Sequence, residues 1–478
     1  MRLRRKGARA AAACTVLWLS AACAHRVPSA APAAAGSEAG APAYWAFAPT
    51  PPMGWNSWDA FATTVTEAQI RAQTDYMADR LARYGWQYVV VDIQWYEPNS
   101  TGFQYRPGAV LTMDGYGRLL PAPNRFPSAA GGTGFRSLAG YVHGKGLKFG
   151  VHLLRGIPRQ AVARNTPILG TPYHAADVAD TTSTCAWNTD MYGVDMSKPG
   201  AQAYYDSVFR LLAEWGVDFV KVDDLSRPYH REELEAIRKA IDHAGRPMVL
   251  STSPGETPLA AGEHVSHNAN MWRVSDDFWD TWPSLVEQFA RLDKWTPFRG
   301  PGHWPDADML PLGAIRQVPG YRGGPWTRFT PDEQRTMMTL WAIARSPLIM
   351  GGDLTKNDDY TLSLLTNEEV IAVDQASTGN HQLFDRDGQV AWVAEVPGSS
   401  DLYLAVFNAR DPSTGENAGI PVAVPELGFE GAYRVRDLWQ KKDLGRFTGD
   451  FAPVIPWHGA GLYRISGERH SGSSPNHR

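Results

Sequence analysis

Short apolar runs recur along the chain, each followed by polar or glycine-rich residues and then a helical pattern. Trp86–Val91, Leu147–Leu154, Val217–Val222, Met248–Ser251 and Met271–Val274 are such runs. Near-continuous apolar runs suit strands buried on both faces of a parallel sheet. Between them, Thr66–Tyr84, Ala201–Trp215, Glu232–His243 and Pro331–Arg345 carry apolar residues at helical spacing. Thr330-Pro331-Asp332-Glu333 reads as a helix start, with an N-cap threonine, proline at the first position and acid in the first turn. Met53-Gly54-Trp55 as a first strand end, with further runs near Met309 and Leu348, brings the count to about eight units. The pattern predicts an α/β fold, a (β/α)8 TIM barrel over residues 48–380. A doubly wound open sheet is the structural alternative.

After residue 380 the texture changes. Val390–Val396, Leu402–Phe407, Ile420–Val424, Tyr433–Asp437 and Gly461–Ile465 read as short strands separated by turn signals, with no long helical pattern. They predict a small C-terminal antiparallel β-sandwich over 381–467, followed by a polar, disordered tail at 468–478. The sandwich reads as a structural flank of the barrel.

The first 24 residues have the three parts of a secretory signal: basic Arg2 to Arg9, apolar Ala10 to Leu19, and small residues from Ser20 to Ala24. The apolar stretch is too short for a stable transmembrane anchor. Cleavage after Ala24 competes with lipoprotein-type processing at Cys23, which would leave a lipid anchor. The predicted location is therefore secreted, periplasmic or cell-surface. Residues 25–47, rich in Ala, Pro, Ser and Gly, read as a disordered linker. Only Cys14, Cys23 and Cys185 occur. That excludes a disulfide framework and a four-cysteine zinc site. Cys185 reads as a lone buried thiol rather than a nucleophile.

Composition narrows the class further. Hydrophobic residues make up 43% and charged residues 20% of the 478, so the chain is neither disordered nor a coiled coil. The net charge is −4, and without the five basic residues of the signal the body is more acidic still. A dedicated nucleic-acid binder would need a basic face. The 18 tryptophans suit core packing for the most part, and also suit a cleft that stacks sugar rings.

Active residues of a barrel gather where strands end and loops begin. Asp92, His152, Arg155, Lys221, Asp223, Asp224, Arg273, Asp276, Asp277, Asp306 and Asp308 all fall at such places. One carboxylate after an apolar strand is usually a satisfied structural group, since burying it unpaired is costly. Repetition over several strand ends points instead to a shared site. Paired carboxylates with flanking Lys and Arg suit glycoside hydrolysis. Metal hydrolysis would need paired histidine ligands, and the close pair His264 and His267 falls in a predicted loop, with no H-x-H or H-E-x-x-H spacing. No P-loop or dinucleotide fingerprint occurs either, so no metal or coenzyme is expected. A carbohydrate is the expected partner. A carbohydrate-binding protein without turnover is the alternative of another class. The long 156–200 segment suits a cleft-shaping loop, with Trp187 or Asp190 near the pocket.

Taken together, the opening Pro51-Pro52-Met53-Gly54-Trp55-Asn56-Ser57-Trp58, Val91-Asp92 before Trp95, Lys221-Val222-Asp223-Asp224, Trp272-Arg273 and His303-Trp304-Pro305-Asp306-Ala307-Asp308-Met309-Leu310 resemble glycoside hydrolase family 27, the α-galactosidase family of clan D. The similarity runs from about residue 48 to 375, and the tail resembles that family's β-sandwich. The resemblance implies a retaining exo-glycosidase that releases terminal α-D-galactosyl residues through a covalent glycosyl-Asp intermediate. It implies Asp223 as nucleophile and Asp277 as acid/base, with Trp282 as the matching downstream Trp and Asp276 as a competing neighbour. It further implies sugar contacts from Lys221, Arg273, Asp92, His152, Arg155, Ser253 and Asp308, with Trp55 as a pocket wall.

Three departures bear on the sugar. The family's second acid after strand two is Ile93, its strand-three Tyr is His152, and its Cys-Glu-Trp after strand five is replaced by Ser251-Thr252-Ser253-Pro254-Gly255-Glu256. An acid serving O6 is dispensable for a pentose, so a β-L-arabinopyranoside is an alternative glycone, as is an α-glucoside or isomalto-type glucan. Gln94, His152, Arg155 or Glu256 are the candidates to replace the missing acid.

Overall fold

The computed structural model describes residues 41–412 and 417–469. The segments read as signal peptide, Cys23 and the end of the polar tail lie outside the described residues. The expected eight parallel strands are present: β1 (Met53–Asn56), β2 (Tyr88–Val91), β3 (Lys148–Leu154), β7 (Phe219–Asp223), β8 (Val249–Thr252), β9 (Met271–Arg273), β10 (Trp304–Asp306) and β11 (Leu348–Met350). Between β3 and β7 lies an insertion carrying β4 (Ile157–Pro158), β5 (Ala179–Thr184) and β6 (Met191–Val194), which form a separate three-stranded sheet. The parallel order is β10-β9-β8-β7-β3-β2-β1-β11. Leu310, just beyond β10, closes the ring: its N–H donates to Ile349 O at 2.8 Å and its carbonyl accepts from Gly351 N at 3.0 Å.

The strands are short and buried at all but Lys148 and Lys221, because helices cover their outer faces and side chains fill the middle. Tyr88, Val90, Phe219, Val249, Met271, Trp304 and Ile349 pack inside the ring. The outer helices include Glu67–Tyr76, Ala201–Trp215, Arg231–His243, Trp282–Trp295 and Pro331–Ala344. The last starts as the sequence predicts, with Thr330 and Glu333 forming a reciprocal capping box. No helix among the described residues is long and apolar enough to cross a membrane.

The C-terminal sheet runs β12 (Thr378–Arg386), β13 (Gln389–Glu395), β14 (Leu402–Asn408), β15 (Ala432–Asp437), β16 (Lys442–Thr448) and β17 (Ala460–Ser466). It is antiparallel, in the order β12-β13-β14-β17-β15-β16. Trp392, Ala405, Phe407 and Leu462 join the barrel's core, where Phe407 meets Phe289 at 5.0 Å. Its other face is covered by Ile420, Val422, Phe429, Phe451 and Ile455. Ile420–Val424, predicted as a strand, makes only one bridge, Val422 to Phe451. The segment spends its apolar side chains on that cover.

The predicted linker also needs correction at its end. Ala43–Phe47 forms a 3-10 turn against the N-terminal face of the barrel. Trp304 Nε1 donates to Ala48 O at 2.8 Å, Asn270 Nδ2 to Tyr44 O at 3.0 Å and Trp45 Nε1 to Ser266 O at 3.1 Å. The Trp45 ring lies 4.2 Å from that of His303. These aromatic residues seat the segment on the barrel. Replacing Trp45 by Ala should lower unfolding free energy by about 1–3 kcal/mol, measured by urea denaturation. An unchanged midpoint would show that the segment rests on the barrel without stabilising it.

Candidate active site

The carboxyl ends of the barrel strands surround a pocket of about 680 Å³. Lys221, Asp223, Asp276 and Asp277 line it among the charged residues singled out from sequence. Asp92, His152, Ser253, Arg273 and Asp308 are buried and hold these side chains. Lys221 Nζ donates to Asp92 Oδ2 at 3.0 Å, and Asn56 Nδ2 donates to the same oxygen at 2.7 Å. His152 Nε2 donates to Asp223 Oδ2 at 2.7 Å, and the Ser253 hydroxyl donates to Asp223 Oδ1. Arg273 pairs with Asp308 at 2.8 Å and reaches Asp277 at 3.3 Å.

Strand geometry explains the layering. Lys221 and Asp223 are two residues apart on β7, so both point to one face. In the parallel register His152 stands beside Lys221 and Leu154 beside Asp223. Asp224 and Asp308 adopt positive φ, 66° and 86°. Such strain persists where surrounding contacts over-determine it, and here Arg155 holds Asp224 while Arg273 holds Asp308.

Electrostatics set the ionisation of Asp223. Burial alone would favour the neutral acid, but Lys221, His152 and the two side-chain hydrogen bonds hold the carboxyl well below the ordinary range. Asp308 is shifted the other way, because burial and the nearby Asp277 and Asp306 outweigh Arg273. Burial also pushes the Cys185 thiol up to about 12, where it is a poor nucleophile.

Several predicted contacts fall elsewhere. Trp55 is fully buried, with Nε1 donating to Gly352 O at 2.7 Å. It is core, and Trp58, three residues on, faces the pocket. Arg155 is also corrected. Its backbone N–H donates to Asp223 O at 2.9 Å, and its guanidinium holds Asp224 at 2.7 Å and Glu233 at 2.6 Å. It braces the strand end from behind. His152 and Ser253 are buried, with His152 Nε2 and the Ser253 hydroxyl on Asp223, so they hold the carboxylate rather than face the pocket. Trp282 stacks on His458 at 3.8 Å, at the sandwich. Asp190 is buried and accepts from Gln94 and Tyr96. Trp187 lines the pocket.

The two neighbouring acids separate by partner. Asp276 is paired with Arg227 at 2.6 Å, whereas Asp277 shares Arg273 with Asp308. Both are more than half exposed on the pocket lining. Ile93 lines the pocket as well. None of the four candidates to replace its missing acid does so. Gln94 donates to Asp190, His152 is held by Asp223, Arg155 by Asp224 and Glu233, and Glu256 faces Arg291 at 3.7 Å.

The sequence reading also missed Phe103, Tyr105, Arg227, Trp279 and Met309, all on the lining. Met309 follows Asp308 inside the quoted motif, which is a usable signal. Phe103 and Tyr105 sit in a long irregular loop that carries none. Among the described residues no group of three or more His, Cys, Asp or Glu is placed to hold a metal ion.

Two carboxylates with shared cations at the mouth of a (β/α)8 barrel, flanked by aromatic walls, define a glycoside hydrolase. A family profile described as alpha galactosidase A matches residues 50–198 and 193–376, and one described as the alpha galactosidase C-terminal beta sandwich domain matches 386–465. The chain belongs to glycoside hydrolase family 27. Alpha-galactosidase 3 of Arabidopsis thaliana is 30% identical over 432 residues, 87% of this chain and 82% of that protein. A family 27 β-L-arabinopyranosidase from Geobacillus stearothermophilus is 53% identical in its crystal structure, with a TM-score of 0.85 over 90% of this chain and 99% of that one. A variant of that enzyme in complex with arabinose matches equally, at 53% and 0.85, over 89% and 99%.

Lys221→Met should raise the Asp223 pKa, because the ionised form loses its main cation. The acid limb of the kcat/KM–pH profile should then move to higher pH, while Lys221→Arg keeps it near its original place. A limb that stays put in Lys221→Met would mean that another group sets it.

Proposed function

We propose that the chain is a retaining exo-glycosidase that releases terminal β-L-arabinopyranosyl residues. The observation that carries this reading is Ile93 on the pocket lining, with none of Gln94, His152, Arg155 and Glu256 on it to replace an acid. β-L-Arabinopyranose matches the ring of α-D-galactopyranose but lacks the C6 hydroxymethyl. A pocket for it needs no acceptor for O6, and the apolar Ile93 and Met309 on the lining suit a bare ring carbon. The 53% identity to a β-L-arabinopyranosidase, against 30% to a plant α-galactosidase, supports the same choice.

The mechanism follows from the layering. The Asp223 carboxylate attacks the anomeric carbon as Asp277 protonates the leaving oxygen, so the glycosidic C–O bond breaks while an ester to Asp223 forms. Water then attacks the anomeric carbon, Asp277 takes its proton, and the Asp223 carboxylate leaves. His152 and Ser253 hold the carboxylate oxygens during both steps. Lys221, on the lining, is placed to hold ring hydroxyls through the donor capacity left after it pairs with the buried Asp92.

The test is hydrolysis of 4-nitrophenyl β-L-arabinopyranoside beside the α-D-galactopyranoside and α-D-glucopyranoside. The arabinoside should give the highest kcat/KM, and Asp223→Ala should lower it about a thousandfold or more. Full activity in that variant would remove Asp223 from the mechanism. Ile93→Asp should move the galactoside-to-arabinoside ratio roughly ten- to hundredfold toward the galactoside, the scale of one hydrogen bond to a charged group. A wild type that prefers the galactoside would establish the α-galactosidase reading instead.

A further inference from the structure

The pocket is larger than one sugar ring requires. Its 680 Å³ falls in the range of roughly 300–1,000 Å³ that holds a drug-sized ligand. The reacting sugar must lie against Asp223, so whatever hangs on its anomeric carbon points out through the mouth.

An aromatic ladder climbs that mouth. Trp58 lies nearly parallel to Tyr105, at 12° and 5.9 Å, and Tyr105 packs at 5.2 Å on Trp187. Trp187 leaves 37% of its surface open. It sits on the connection between β5 and β6, in the insertion that the barrel itself does not need. The mount is firm. Asp190 accepts from Gln94 Nε2 at 2.6 Å and from the Tyr96 hydroxyl at 3.2 Å, while Gly108 N–H donates to Thr189 Oγ1 at 3.0 Å. Asn188 Oδ1 accepts from Asp190 N at 2.7 Å and tightens the turn. These bonds tie the turn to the loop that follows β2. The turn is thus fixed while the indole it carries stays partly open to water on the pocket lining. The same lining carries Arg227 and Asp276, paired at 2.6 Å yet 59% and 63% exposed as side chains. Both keep hydrogen-bonding capacity for a ligand.

We propose that Trp187 is the stacking platform for the leaving-group sugar, so that the substrate is a terminal glycoside carried on a second pyranose ring. A pyranose offers an apolar face to the indole and hydroxyls to Arg227 and Asp276. A small alcohol offers neither. This inference rests on the glycosidase reading above and adds the other side of the scissile bond.

The experiment compares kcat/KM for the methyl glycoside, the 4-nitrophenyl glycoside and a disaccharide with the same glycone, in wild type, Trp187→Ala and Trp187→Phe. In Trp187→Ala the disaccharide-to-methyl ratio should fall about tenfold, the scale of one aromatic contact, and Trp187→Phe should recover most of it. An unchanged ratio overturns the proposal. A fall confined to the 4-nitrophenyl glycoside also overturns it, because the platform would then serve an aryl group. Calorimetry in the Asp223→Ala background gives a second readout, free of catalysis. There Trp187→Ala should weaken disaccharide binding relative to the free monosaccharide, and equal weakening of both overturns the proposal. If wild type hydrolyses none of the glycosides, the failure belongs to the proposed function. Wild-type affinity for the disaccharide against that of Trp187→Ala then decides the role of Trp187 alone.

Discussion

The negative charge of Asp223, buried at the end of β7, is the constraint around which the rest of the site is arranged. A carboxylate taken out of water costs several kcal/mol unless it is paired and hydrogen-bonded. Lys221 from the same strand face, His152 from β3 and Ser253 from beyond β8 all meet that demand. Each of these brings a demand of its own. Lys221 is shared with Asp92, which ties β7 to the loop after β2. Arg273 divides itself between Asp277 and Asp308. Arg155 divides itself between Asp224 and Glu233. Every buried cation of the site thus stands between two acids, and the strand ends are locked in relative position by that sharing. Removing one member leaves a buried charge without its partner, so each member holds the others in place.

How much of this is legible along the chain depends on how a segment is buried. The barrel strands announce themselves because both faces are covered and their apolar runs are continuous. The strands that leave no signal are the three of the insertion, β4, β5 and β6, and the outer pair of the C-terminal sheet, β12 and β16; all but the four-residue β6 are sheet edges. Half their neighbours are water, so Ala179–Thr184 and Lys442–Thr448 carry polar residues without alternation. Ile420–Val424 errs the other way, because apolar residues that cover a sheet resemble apolar residues within one. The layering of the site is equally hidden. Residue type separates neither Trp55 from Trp58 nor a sugar-binding Arg from Arg155. Where β1 ends decides the first, and the presence of Glu233 on a helix far along the chain decides the second.

Recognition of the two sides of the glycosidic bond falls to different parts of the chain. Ile93 follows directly on a barrel strand, and its surroundings are set by the ring. Trp187 belongs to the insertion, whose three short strands pair with each other and with no barrel strand. Loops and insertions vary more freely than the scaffold beneath them, so the mouth can be rebuilt without disturbing the carboxylates. The floor has no such freedom, because its polar groups are already committed. Gln94 illustrates the limit: it adjoins Ile93, yet its Nε2 donates to Asp190, which anchors the turn bearing Trp187. Turning Gln94 toward a sugar hydroxyl would strip Asp190 of a partner and loosen that mount. A change of glycone is therefore simplest at Ile93 itself, where an apolar side chain holds no partner that must be replaced.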